Sequence, residues 1–211
     1  MRKNSWWLFV NKRELKFKIP FYPQVLSMSC GAACIQMIGN FFNPKRFPLT
    51  YELQIKIHER IRFWDTDEYG ELESIAKMLR WVRKNGLRAK YYFESHDNLS
   101  EAPLGVNKEL WGRYIRSFYR VLEEEKGKGL FVSDECDIKN IYEEIRKGHP
   151  VVCEIQHGNF VTHDIVVRGF KDKMFYIIDP LRGYERMLRD DLIEKIDLGY
   201  MKNFFSLSPP E

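Results

Sequence analysis

The sequence predicts an α+β protein with helices first and an antiparallel β-sheet in the C-terminal third. Two observations carry this. Between Cys30 and Lys147, apolar residues recur at helical spacing in five segments. After Pro150 the pattern changes to short runs rich in β-branched and aromatic residues, divided by turn residues: PVVCEIQ, HDIVVRGF, KMFYIID and YMKNFFSLS.

The elements follow in order. CGAACIQMIGNFF, from Cys30 to Phe42, places Ala33, Met37 and Phe41 on one side with Cys34 and Ile38 close by. Ser27 or Ser29 caps its start, and Pro44 and Pro48 stop it. Thr50 to Ile61 forms a second helix with Leu53, Ile57 and Ile61 facing inward. GELESIAKMLRWVRKN, from Gly70 to Asn85, reads as a helix through Leu72, Ile75, Leu79 and Val82, closed by Gly86. LRAKYYF then reads as a strand. Lys108 to Lys126 is a long helix carrying Trp111, Ile115, Phe118 and Leu122. It breaks by Gly129, where LFV starts a short strand, and Asp137 to Lys147 is a further helix closed by Gly148.

Composition narrows the function classes. At 211 residues, 44% hydrophobic and 30% charged, the chain suits one soluble globular domain. Its 34 basic and 30 acidic residues are interleaved, so the net charge of +4 forms no basic stripe and nucleic acid is not an expected partner. No apolar run approaches the roughly eighteen residues of a membrane span, and WWLFV is too short for a secretory signal. The expected setting is cytoplasmic, with no membrane partner and with free thiols. There is no internal repeat, and the oligomeric state is not readable.

Chemistry centres on Cys30. A reactive thiol needs its pKa lowered, and a helix N-terminus does this through its partial positive charge. Cys30 opens its helix, and Gly31 behind it leaves room for close backbone approach. Taken alone, Cys30 reads first as a small buried core residue. A base is also required. His163 opens an apolar strand, while His157 lies beside Gly158 in the same loop and is a candidate substrate contact. His58, His96 and His149 sit in polar segments and read as surface residues. Cys34 and Cys153 read as core, Cys136 as a surface or loop thiol. Cys30 and Cys34 lack a second Cys/His cluster, so no metal is expected. Trp64, in the loop-like RFWDTDEYG, is a candidate cleft residue. Trp6, Trp7, Trp81 and Trp111 read as packing residues.

Gln24 lies six residues before Cys30, and PFYPQ…SCGAAC resembles the N-terminal signature of bacteriocin-processing, double-glycine-leader cysteine peptidases, a papain-like family. The likeness is closer to the stand-alone relatives not fused to a transporter. Ala32 stands where that family usually has proline. THDIVVRGFKDKMFYIIDPLRG resembles the second signature, supplying His163, Gly169, Phe170, Asp179 and Pro180.

The resemblance implies Cys30 as nucleophile, His163 as general base and acid, and Asp179 as the residue that orients the imidazole. Gln24 and the Cys30 N–H would hold the oxyanion. Gly31, His157 and Trp64 would line the substrate site, with no cofactor. Asp164 follows His163 where the family has an aromatic or apolar residue. That acid can itself contact the imidazole, which leaves the third member open.

The likeness covers residues 19 to 42 and 149 to 182. It implies a single papain-like domain over 1–211, with the nucleophile helix packed on the sheet and a helical insertion at about 62–130. The substrate implied is a peptide or protein, cleaved after small residues such as paired glycines. A catalytically silent peptide-binding relative, or a thiol acyltransferase or amidase sharing the acyl-enzyme step, fits the same residues.

Overall fold

Four helix starts in this chain are set by capping side chains. In a computed structural model that describes residues 14–66, 70–94, 107–157, 161–198 and 202–210, Thr50 accepts from the Leu53 N–H at the head of α2 (Tyr51–Ile61). Ser74 does the same for Lys77 at α3 (Ile75–Lys84), and Asn107 for Glu109 and Leu110 at α4 (Lys108–Lys126). Asp137 and Asn140 form a reciprocal capping box at α5 (Ile138–Arg146). α1 (Cys30–Phe42) has no such cap. Ser29 occupies its capping position but makes no cap bond, because its hydroxyl bonds the Leu26 carbonyl and Gln54 Oε1. The first N–H groups of α1 are left for another acceptor.

The Ser74 cap also corrects the expectation of a helix from Gly70. Leu72 continues the apolar stripe in sequence, but Gly70–Glu73 is strand β3, paired antiparallel with β2 (Arg62–Thr66). Residues 62–130, expected as a helical insertion, hold β2, β3, α3, β4 (Arg88–Phe93) and α4.

The main sheet has the order β5-β4-β10-β6-β7-β8-β9, formed by β5 (Phe131–Ser133), β4, β10 (Asn203–Ser208), β6 (Val151–His157), β7 (Val161–Lys171), β8 (Met174–Asp179) and β9 (Gly183–Leu188). Strand β1 (Leu15–Lys16) pairs with β7. Pairing is antiparallel except between β4 and β5. The sheet is therefore not confined to the C-terminal third. It recruits β4 and β5 from the middle of the chain, and it gains β9 and the following helix α6 (Arg189–Asp197), which the sequence pattern did not reveal. Gly169 permits β1 to cross β7, since a Cβ there would collide with the Leu15 carbonyl oxygen.

Strand alternation divides the core into two layers. One holds α1 to α4 against Val152, Val166 and Phe205, with Ile35, Met37, Ile57, Leu79 and Phe118 at its centre. The other holds α5 and α6 against Val151, Cys153, Ile165, Val167 and Phe175. On β7, Asp164 is in phase with Val166 and so meets α1, whereas His163 is in phase with Ile165.

All four cysteines are free. Cys136, expected as a surface or loop thiol, does lie in the loop between β5 and α5, but it is buried in the second layer with Ile141. No helix among the described residues is long and apolar enough to cross a membrane.

Candidate active site

The uncapped head of α1 is met by a carboxylate. Glu73, at the end of β3, accepts the Gly31 N–H on Oε2 at 2.8 Å, and its Oε1 bonds His58 Nδ1 at 2.8 Å. An anion at a helix N-terminus is favoured by the peptide dipoles and the free N–H groups. His58, expected on the surface, is buried. It lies on the inner stripe of α2 formed by Gln54, Ile57, His58 and Ile61. Gly31 is what allows the approach: a Cβ there would lie 2.6 Å from Glu73 Oε2 and 2.8 Å from Asp164 Oδ2, and would also collide with Met78.

Cys30 opens α1 next to that carboxylate. Its Sγ lies 3.9 Å from Asp164 Oδ2, while Cys34 Sγ donates to the Asp164 backbone carbonyl at 3.4 Å. Burial pushes the Cys30 thiol well above the ordinary thiol range, and the Asp164 and Glu73 charges push it the same way. The acids respond alike. Burial, then the Glu73 charge, raises Asp164 to about 7. Burial, then Asp164, raises Glu154 to about 8. A cavity of about 60 Å³ fronts these groups, with Cys30, Glu73, Glu154 and Asp164 as its polar wall and Met78 and Trp111 among its apolar ones.

A second pair forms at the end of β8. His163 Nε2 and Asp179 Oδ1 are 2.9 Å apart, both buried. Burial would raise Asp179, but the bonds from His163 and the Leu181 N–H outweigh it and hold the carboxyl below its usual range. The His157 ring stands beside His163, centroids 5.3 Å apart. Gln24 is tied to the same corner, its N–H donating to the Pro180 carbonyl at 3.1 Å.

The structure thus brings His163, Asp179 and His157 together and sets Gln24 beside them. It brings the Cys30 thiol to Asp164, the residue adjoining His163, and not to the imidazole. Gln24 spends both Nε2 hydrogens on the Leu26 and Ser27 carbonyls, each at 2.9 Å, and its buried Oε1 has no partner among the described residues. Trp64 lies in β2 rather than on a loop, and its side chain is outside the described residues, as are Trp6, Trp7 and His96.

Glu73, Glu154 and His58 were not singled out by sequence. The signal for His58 was its place four residues after Gln54 on an otherwise apolar face. Glu73 carried none, because its partners come from two other helices.

The model of the Peptidase_C39 like family matches residues 16–197. Among solved structures, a C39-like peptidase from Bacillus anthracis superposes with a TM-score of 0.55 at 12% identity, covering 95% of this chain and 100% of that one. That likeness is one of fold, the mixed α+β papain-like arrangement. The peptidase domain of Streptococcus ComA, a bifunctional ABC transporter of a quorum-sensing pathway, gives 0.49 at 13% identity over 92% and 99% of the chains. A double glycine motif protease from an AMS/PCAT transporter, solved with a leader peptide, gives 0.49 at 16% identity over 94% and 99%. No curated protein matches the chain.

Proposed function

The chain belongs to the Peptidase_C39-like family, and from that premise we propose that it is a cysteine peptidase acting on a peptide or protein substrate, with Cys30 as nucleophile. The observation that carries this is the buried His163–Asp179 bond of 2.9 Å, on the strand whose next residue meets the Cys30 thiol. Asp179, held ionised, fixes one imidazole nitrogen and leaves the other to serve the thiol.

In this reading His163 takes the Cys30 proton, and the thiolate adds to the substrate carbonyl. The Cys30 N–H and the Gln24 amide receive the oxyanion. The imidazolium then protonates the leaving amine, and His163 activates the water that releases the acyl-enzyme. Two changes separate the present arrangement from this one. His163 faces the α5/α6 layer across β7 from the thiol, so the start of β7 must turn to bring the imidazole past Asp164 to Cys30, and the Gln24 amide must release the Leu26 and Ser27 carbonyls. Four free cysteines suit a reducing, cytoplasmic setting.

A second reading is a silent relative that grips a peptide without cutting it. The observation that favours it is Glu73 seated on the Gly31 N–H, where negative charge disfavours a thiolate. Labelling with a peptidyl chloromethyl ketone in chelator-containing buffer, read by peptide mass mapping, separates the two. The peptidase reading expects an adduct on Cys30 whose rate falls by about a hundredfold or more in His163→Ala. Labelling that ignores His163, or that reaches the buried Cys136 equally fast, supports the silent reading.

A further inference from the structure

We propose that Cys30, Asp164 and Glu73 form a site for one borderline-soft divalent cation of the zinc class. The Cys30 Sγ and one carboxylate oxygen each of Glu73 and Asp164 lie within 4.8 Å of one another. The sulfur and Asp164 Oδ2 are 3.9 Å apart. Two such donors on a tetrahedral zinc sit roughly 3.6 Å apart, given Zn–S near 2.3 Å and Zn–O near 2.1 Å. A closure of a few tenths of an ångström completes that edge.

An independent observation points to a ligand here. Asp164 is 7% exposed and lines the cavity, yet among the described residues its carboxylate has one hydrogen-bond contact, the thiol at the outer limit of such a bond. A carboxylate so buried requires partners. Gly31 contributes as well, since the point where its Cβ would stand is the point on which the Glu73 and Asp164 oxygens converge. A side chain at residue 31 would force those two oxygens and Met78 apart.

Size and donor type select the ion. The cavity of about 60 Å³ in front of these donors leaves room for a metal ion with an aqua ligand. Calcium and magnesium take six or more oxygens, whereas a thiolate with carboxylates suits four-coordinate zinc. A water supplies the fourth position. His58 bonds the far oxygen of Glu73 and orients that ligand from outside, while Glu73 Oε2 has a second lone pair beyond the one taken by the Gly31 N–H. On binding, the metal replaces the Cys30 thiol proton, which passes to solvent. The cation would hold the sulfur against Asp164, whether or not the chain turns over.

The test uses the full chain, stripped with chelator, then titrated with Zn²⁺ or Co²⁺ near neutral pH. The proposal expects one metal ion per chain and a thiolate-to-cobalt charge-transfer band. The band is lost in Cys30→Ser and kept in Cys136→Ser. Asp164→Asn binds at least about tenfold more weakly. Circular dichroism checks the fold of each variant, and should Asp164→Asn not fold, the cobalt band of Cys30→Ser decides. No stoichiometric metal on the parent, a band that survives Cys30→Ser, or a folded Asp164→Asn that binds as tightly as the parent overturns the proposal. The peptidyl labelling described above is run metal-free, so either claim fails without the other.

Discussion

Glu144 and Asp164 are both acids buried against the central sheet, and they are treated in opposite ways. Glu144 receives Tyr92 Oη at 2.8 Å, Ser206 Oγ at 2.9 Å, His149 Nδ1 at 2.8 Å and Lys147 Nζ at 3.1 Å. Burial alone would raise it, but those bonds outweigh burial and hold the carboxyl at about 2. Asp164 has a thiol 3.9 Å away and the like charge of Glu73, and it is raised to about 7. The number of donors aimed at a buried acid, rather than burial itself, decides its charge. Glu144 is a structural knot. The donor-poor cluster faces the cavity beside the candidate nucleophile, where perturbed acids gather in working sites.

The contrast breaks first at Glu144. Glu144→Ala leaves five donors, Lys90 Nζ at 3.5 Å included, without their acceptor, and the expected cost is about 3 kcal/mol. In a chain of this size that is a fall of about 9 °C in Tm by calorimetry. Reactivity at Cys30 in the folded fraction should not change. An undiminished Tm would remove Glu144 from the structural class.

Gly31→Ala comes next. The added methyl meets both carboxylates and Met78, an overpacking worth about 2 kcal/mol in chemical denaturation. A neutral result would mean that Glu73 and Asp164 part easily.

The pH arm follows from the sign of the Glu144 shift. Its folded-state value lies below the ordinary 4.5, so the folded chain binds fewer protons than the unfolded one between these values. The stabilisation is present above about pH 4.5 and is lost as pH falls toward 2. Glu144→Gln should flatten this acid-side decline in Tm, and an unchanged slope would contradict it.

The smallest effect carries the opposite sign. In metal-free chain, Asp164→Asn removes a like charge beside Glu73 and should leave Tm unchanged or higher, by about 1 kcal/mol at most. A large loss would show that Asp164 is a stabilising acid after all.

Much of the frame was legible because it is local. Periodicity and caps give α2 and α4 nearly to the residue, and turn residues divide the C-terminal strands. What escaped was non-local or weakly patterned. GYERML is an exposed edge strand whose outward side chains include Tyr184 and Leu188, and RDDLIEKID buries just Leu192 and Ile196. Glu73 was assigned to a helix because Leu72 continues the stripe of α3, and only Ser74 in its capping position marks the true start. For the site, Cys30, Gln24, His163 and Asp179 stood out through motif spacing. The charge that surrounds the thiol did not, since His58, Glu73 and Asp164 meet only once three separate elements have packed.

The most direct measurement is cleavage of a mixed peptide library by the purified, chelator-treated chain, with products identified by mass spectrometry. The account predicts cleavage by the parent and a loss of about ten-thousandfold in both Cys30→Ala and His163→Ala. Cleavage that persists in Cys30→Ala, or a parent that binds peptides and cuts none, would contradict it.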